Sequence, residues 1–344
     1  MIMLQGMEYR DWISTKLDIN KELLYLTRQD VLDLKLTDEE ITEMTKEGMI
    51  AYSTGNAEMP AKIGIHPLKD TLMHAMPANM KTLSAAGIKW GCCFPDNMPR
   101  FGYTQTTCTL ILNDYQSGTA ISFMDADYIT RVRTAAVALL SCQKFARQDF
   151  KTMGMIGCGI QGKQQVAMLG RAYPQIEEIY ILDRFEEAMD ALIEECGQYT
   201  KARFIKADWE TLAKNSEVIL SAAYIPAVPN PQIKDQWLNK KGLTIIASDC
   251  HTHYEDVSIK AADKYYCDSI EEHELFITYG LYPQGLPEIT GETGAALAGV
   301  VPGRESDDEF IFVNNVGMAV EDITVARKIF DTALERGVGV KMPL

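Results

Sequence analysis

The chain has no apolar run approaching the ~20 residues a membrane helix needs. It has no CxxC pair: Cys92, Cys93, Cys108, Cys142, Cys158, Cys196, Cys250 and Cys267 are scattered, mostly in apolar surroundings. That excludes the usual spacing of a structural zinc site and gives no disulfide framework, so reduced core thiols are expected. Positive charge is also scarce, with 33 Lys and Arg against 48 Asp and Glu and a net charge of −15. Such a balance disfavours nucleic-acid phosphates and anionic membrane surfaces as partners. It leaves room for a local basic pocket that takes a small anion. Repeats and low-complexity segments are missing. The stretch Met1 to Arg10 has neither the basic start and apolar run of a signal peptide nor the Arg/Ser-rich character of a transit peptide. A cytoplasmic location is the expectation.

What is present begins with length: 344 residues, 47% of them apolar, are enough for two domains with sizeable cores. The most informative stretch is Met153-Gly154-Met155-Ile156-Gly157-Cys158-Gly159-Ile160-Gln161-Gly162. It reads as an apolar strand running through a glycine turn into a helix. Gly157 permits the turn, Gly159 lets the backbone approach a pyrophosphate, and Gly162 lets the helix pack on the strand. The free N–H groups and positive dipole end of that helix would hold the phosphates. A second strand, Glu178 to Leu182, ends in Asp183, about 20 residues beyond the last glycine, where a carboxylate binds the ribose hydroxyls of an adenosine. Asp183 favours NAD by repelling a 2′-phosphate, and the adjacent Arg184 keeps NADP open.

Before the glycine turn, Thr37-Asp38-Glu39-Glu40 is a capping box that opens a helix ended near Gly55. Strand-like runs follow at Lys62–His66, Thr71–Met76, Gly87–Cys93, Cys108–Asn113 and Thr119–Met124, the last two joined by the turn Tyr115 to Gly118. Short turns between them imply an antiparallel or mixed sheet. A helical stretch, Ala126 to Arg147, leads into the glycine-turn strand. From there strands and helices alternate at Thr152–Ile156, Ile179–Leu182, Arg203–Ile205, Val218–Ser221, Leu243–Ala247 and Lys264–Cys267, with Phe310–Val313 as a further strand. That is the pattern of a doubly wound parallel sheet. The last helix, Ala319 to Arg336, can return to the first domain. The expected fold is α/β, a Rossmann-type doubly wound sheet plus a smaller mixed α+β domain. The domains are 1–130 with 318–344, and 131–317, with the site in the cleft between them.

Several segments resemble the ornithine cyclodeaminase/mu-crystallin family over most of the chain. They are His74-Ala75-Met76-Pro77-Ala78, Gly87-Ile88-Lys89-Trp90, Arg133-Thr134-Ala135-Ala136, the glycine turn, and Gly317-Met318-Ala319-Val320-Glu321-Asp322. The resemblance implies a Rossmann domain at 131–317, a substrate-binding and dimerisation domain from the rest, and a homodimer. It implies hydride transfer between a nicotinamide and the α-carbon of a small amino or imino acid. The leading activity is that of a cyclodeaminase, L-ornithine to L-proline plus ammonia. An amino-acid dehydrogenase or cyclic imine reductase is the alternative, and a non-catalytic NAD(P)H-binding protein is the reading from another class.

Lys89, expected at the end of a strand, and Arg133, expected to start an otherwise apolar helix, are placed to grip a carboxylate, as the matching residues do in the family. Asp249, after the strand Leu243–Ala247, lies at the carboxyl edge of the sheet and resembles the family's catalytic aspartate. Lys62 stands where the family often has an arginine, and His74 where the cyclodeaminase has a glutamate. His74 is a candidate proton relay or a hydrogen-bonded strand histidine. Losing that glutamate removes a partner for the distal ammonium of ornithine. Candidate cofactor contacts are Gly157, Gly159, Ile160, Gln161, Gly162, Asp183, Arg184, Ser221 and Ala222. Cys250-His251-Thr252-His253 with Glu255 resembles metal-ligand material, but the spacing is cramped. A solvated loop is expected there, and no metal.

Overall fold

The computed structural model describes residues 4–226 and 228–344. The chain divides into two compact units, 1–133 with 318–344, and 134–317.

The first unit is built on one sheet. Its strands are β1 (Glu22–Leu26), β2 (Ala57–Glu58), β3 (Ile63–Ile65), β4 (Leu72–Met80), β5 (Ala85–Cys93), β6 (Thr106–Asp114) and β7 (Ala120–Asp125). β4 to β7 form an antiparallel meander, as short turns require. β1 adds parallel to β7, and the terminal strand Val340–Pro343 adds antiparallel to β1. β2 and β3 share the other side of β4. Alternation sets the faces: Cys108, Leu110, Leu112 and Asp114 of β6 are buried, while their neighbours are partly or fully open. The terminal helix Ala319–Arg336 packs on β4, β5 and β6 and against the helix Asp38–Ser53. That second helix carries the expected capping box, with Thr37 and Glu40 bonded reciprocally.

The second unit is a parallel sheet of β8 (Thr152–Ile156), β9 (Glu178–Leu182), β10 (Arg203–Lys206), β11 (Val218–Ser221), β12 (Thr244–Ala247), β13 (Lys264–Cys267), β14 (Gly291–Glu292) and β15 (Ile311–Asn314). Their spatial order is β10-β9-β8-β11-β12-β15-β13-β14. β11, β12 and β15 are buried at every position, as a sheet covered on both faces demands. The strand order reverses between β8 and β11, so their carboxyl ends border the crevice where doubly wound sheets bind ligands. The long helix Asp127–Phe145 leads into β8.

Two expectations about position need correction. Lys89 sits in the middle of β5, opposite Met76 and Leu110, because that strand begins at Ala85 and runs to Cys93. Arg133 lies inside the helix Asp127–Phe145, which Asp127 opens, and does not start it.

Candidate functional site

In the second unit the chain leaves β8 into the glycine turn. Gly157 has φ +91°, and its N–H donates to Leu182 O at 2.8 Å. A Cβ on Gly162 would lie 1.9 Å from the Gly157 carbonyl oxygen, so helix and turn pack backbone to backbone. A Cβ on Gly159, by contrast, would meet nothing within 4 Å. Gly159 is the N-cap of the helix Ile160–Ala172 and makes no side-chain cap, so the first N–H groups of that helix face an open cradle. These features fit a dinucleotide pyrophosphate. Ile160 is exposed and Gln161 half-buried beside the cradle.

Asp183 does two backbone jobs. Its Oδ2 accepts from Cys158 N–H at 2.7 Å and its Oδ1 from Phe185 N–H at 3.0 Å. The carboxylate therefore pins the glycine turn from the end of β9. Arg184 is exposed, its guanidinium 5.5 Å from the Phe185 ring centre. Burial, then Asp183, pushes the Cys158 thiol up to about 12, which leaves it an unreactive spacer.

Ser221 ends β11, and Ala222 follows it against the turn; a Cβ on Gly157 would meet Ala222 O at 2.6 Å. Asp249, just beyond β12, is fully buried. Its Oδ1 accepts from Ser221 Oγ at 2.8 Å and its Oδ2 from Ala223 N–H at 3.2 Å. Burial raises its carboxyl above the usual range, against the pull of His253 and these two donors.

The segment after Asp249 is no solvated loop. Cys250, His251, Thr252 and Tyr254 are all buried. The cause is aromatic packing, with His251 edge-on to Tyr282 at 4.6 Å and to Phe312 at 5.9 Å between ring centres. Burial and His273 lower His251 to about 3, so it is neutral. Cys250 and His251 also take left-handed backbone, φ +56° and +48°. Among the described residues no group of His, Cys, Asp or Glu has the arrangement of a metal site.

In the first unit the two candidate carboxylate ligands meet two buried acids. Lys89 Nζ lies 2.5 Å from Asp322 Oδ2. Arg133 Nε donates to Asp322 Oδ1 and its Nη1 to Glu321 Oε2, each at 3.1 Å. Glu321 Oε2 also accepts from Met318 N–H at 3.2 Å, which holds the helix start. Both acids are fully buried and Lys89 is 2% exposed. Burial lowers the Lys89 ammonium below its ordinary value, with Arg133 adding to the effect and Asp322 opposing it. For Arg133 burial also pushes down, but Asp322 and Glu321 outweigh it and the guanidinium is raised.

Glu321 and Asp322 carry no role in the pattern of the sequence beyond the family-like segment they belong to. Two adjacent acids in the first turn of an otherwise apolar helix were the available signal. Lys62 is buried, and His74 on β4 is half-buried opposite Gly64 of β3. Burial, then Lys62, His66 and Lys89, lower His74 to about 4, so it is neutral near pH 7 and sits in a positive field.

The glycine turn thus lies in the second unit and the buried ion cluster in the first. The model of the ornithine cyclodeaminase/mu-crystallin family matches residues 21–337. The chain belongs to this family. An alanine dehydrogenase of Archaeoglobus fulgidus is 29% identical, covering 93% of this chain and 98% of the relative. An N-((2S)-2-amino-2-carboxyethyl)-L-glutamate dehydrogenase of Staphylococcus aureus is 28% identical, covering 95% and 100%. A solved archaeal alanine dehydrogenase dimer with bound NAD superposes with a TM-score of 0.81 at 27% identity, covering 93% and 99%. The resemblance and the fold class expected from the sequence both stand.

Two outcomes follow. Asp322→Ala strands Lys89 in the interior and leaves Arg133 with Glu321 alone, and urea unfolding should register a loss of about 3–5 kcal/mol. Gly159→Ala should keep its melting temperature within about 2 °C, since the added methyl meets no protein atom, yet lose dinucleotide affinity. Gly162→Ala should lower the melting temperature by about 4 °C or more. Thermal scans with and without NADH separate the two.

Proposed function

We propose that the chain is an NAD(H)-dependent enzyme that moves a hydride at the α-carbon of a small amino or imino acid. It works as a dehydrogenase or imine reductase with a net change in NAD, and not as an ornithine cyclodeaminase. The observation that carries this is the charge around Lys89. Lys62, Lys89 and Arg133 are cationic, and His74 is neutral where the cyclodeaminase has an acid. Glu321 and Asp322 are already engaged by Arg133 and Lys89, so a distal ammonium such as that of ornithine has no acid of its own there, whereas a carboxylate meets cations. The two dehydrogenase relatives, matched over nearly their full lengths, support the same choice.

In this reading the glycine turn seats the pyrophosphate, and Asp183 takes the adenosine ribose while holding Cys158 N–H. Ile160, Gln161, Arg184, Ser221 and Ala222 complete the cofactor contacts. Bound there, NAD supplies the hydride acceptor or donor. Lys89 and Arg133 hold the α-carboxylate, with Lys62 adding charge, and so fix the α-carbon. Asp249 takes or gives the proton on the substrate nitrogen or on the attacking water, a role its raised pKa suits. His74 is in this reading a neutral wall residue of the pocket. Among the described residues no helix is long and apolar enough to cross a membrane.

The protein is further proposed to pair with a second copy through the first unit. The short strand β3 exposes Ile63 and Ile65, with Leu68 close by in the chain, the kind of apolar edge that proteins cover. The solved archaeal relative is a dimer.

Incubation with NAD and a panel of amino acids tests the activity. NADH absorbance should rise with one or more monoamino acids, and ornithine should give neither absorbance change nor ammonia. Ammonia release from ornithine without net NADH would overturn the choice. The lowered Lys89 sets a pH dependence: carboxylate binding needs the ammonium, so kcat/KM should fall as pH rises, at a pH below the ordinary lysine value of 10.5. Lys89→Arg should move that limb to higher pH, and Lys89→Met should lower kcat/KM at least ~100-fold, as loss of a buried charge partner of the substrate implies. Ile63→Glu with Ile65→Glu should yield monomers by light scattering.

A further inference from the structure

Asp249 is sealed from solvent, with its side chain only 1% exposed. A carboxylate that takes up a proton at each turnover needs a route by which that proton leaves. His253 Nε2 is 3.8 Å from Asp249 Oδ2, and the His253 side chain is 13% exposed. Both ring nitrogens are buried, and among the described residues neither has a hydrogen-bond partner. A buried imidazole with both nitrogens idle is costly unless it serves something. The backbone at His253 is held in place. The His253 carbonyl accepts from Gln232 and Ile233 N–H at 2.8 and 2.9 Å, and the ring packs on Trp209 at 5.5 Å between centres.

We propose that His253 is the proton-exchange partner of Asp249, a positioning residue that connects the buried carboxylate to solvent. This rests on the proton role given to Asp249 above. In the oxidative direction an N–H bond of the substrate ammonium breaks and an O–H bond forms on Asp249 Oδ2. That O–H then breaks as Nε2–H forms on His253, and the partly exposed ring turns outward so that the same Nε2–H breaks to water. The net change is one proton moved from substrate to solvent, with both side chains restored. The 3.8 Å gap is closed by a small shift of the imidazole or by one bridging water.

The surrounding charges leave this pair to itself. On the same loop His251 is neutral, and burial raises Tyr254 well above its ordinary value. Glu255 is paired with Lys234 beside the 230–234 segment, and Glu210 with Lys214 on the helix that carries Trp209. Asp208, the N-cap of that helix, accepts from Thr211 N–H at 2.7 Å.

The test uses the full chain in the NAD-linked assay. His253→Gln keeps an amide of similar reach but cannot carry a proton. It should lower kcat at least tenfold, leave NADH affinity unchanged, and remove one ionisation from the pH profile of kcat. In His253→Ala, added imidazole should restore part of the lost rate. An unaltered kcat and pH profile in His253→Gln would overturn the proposal. So would a loss that imidazole does not rescue, since that is the mark of a packing role. Asp249→Asn run in parallel locates the failure: if it too retains full kcat, the role given to Asp249 is what is wrong.

Discussion

The structure of the first unit depends on four buried charges that must balance. Lys89 from the middle of β5 and Arg133 from the helix Asp127–Phe145 converge on Glu321 and Asp322 at the start of the terminal helix. Charges this deep are tolerable only when paired and hydrogen-bonded. The constraint therefore ties together three segments far apart in the chain. It also explains why the last 27 residues, 318–344, belong to the first unit although a whole domain intervenes. The same pairing that stabilises the unit presets the geometry of the two cations proposed to hold a substrate carboxylate.

In the second unit the equivalent constraint is backbone packing at the glycine turn. Helix and strand approach so closely that a methyl group at Gly162 cannot be accommodated, while Gly159 faces open space. One glycine serves the packing, and the other is proposed to serve the cofactor. Asp183 joins the two functions, because the carboxylate expected to bind a ribose is also the acceptor that holds Cys158 N–H in the turn. Asp249 is placed in a comparable way. Ser221 at the end of β11 and Ala223 just beyond it fix both its oxygens, so the carboxylate is oriented by the sheet.

The parallel sheet was legible because its strands are short, continuous apolar runs bounded by polar turns. β8, β11 and β13 begin and end where the pattern puts them. The terminal helix, with an unbroken apolar stripe, also runs from Ala319 to Arg336 as the spacing implies. β1 and the terminal strand were missed. Glu22–Leu26 has no alternation, and its pairing partners lie about a hundred and more than three hundred residues away. The site residues whose roles or burial the pattern does not show fail for a related reason. Glu321 and Asp322 look like ordinary first-turn acids, and only the fold reveals that they are sealed against Lys89 and Arg133. His251 and His253 sit in a polar-looking run whose burial comes from Tyr282, Phe312 and Trp209 on other segments. Charge, spacing and periodicity carry no record of such long-range cover.

The most direct test of the central claim is a crystal structure with NAD and a slowly oxidised α-amino acid bound. The substrate carboxylate is predicted within hydrogen-bond distance of Lys89 Nζ and the Arg133 guanidinium, with the cofactor pyrophosphate on the N–H groups after Gly159. A carboxylate bound elsewhere, with Lys89 and Arg133 still engaged only by Glu321 and Asp322, would contradict it.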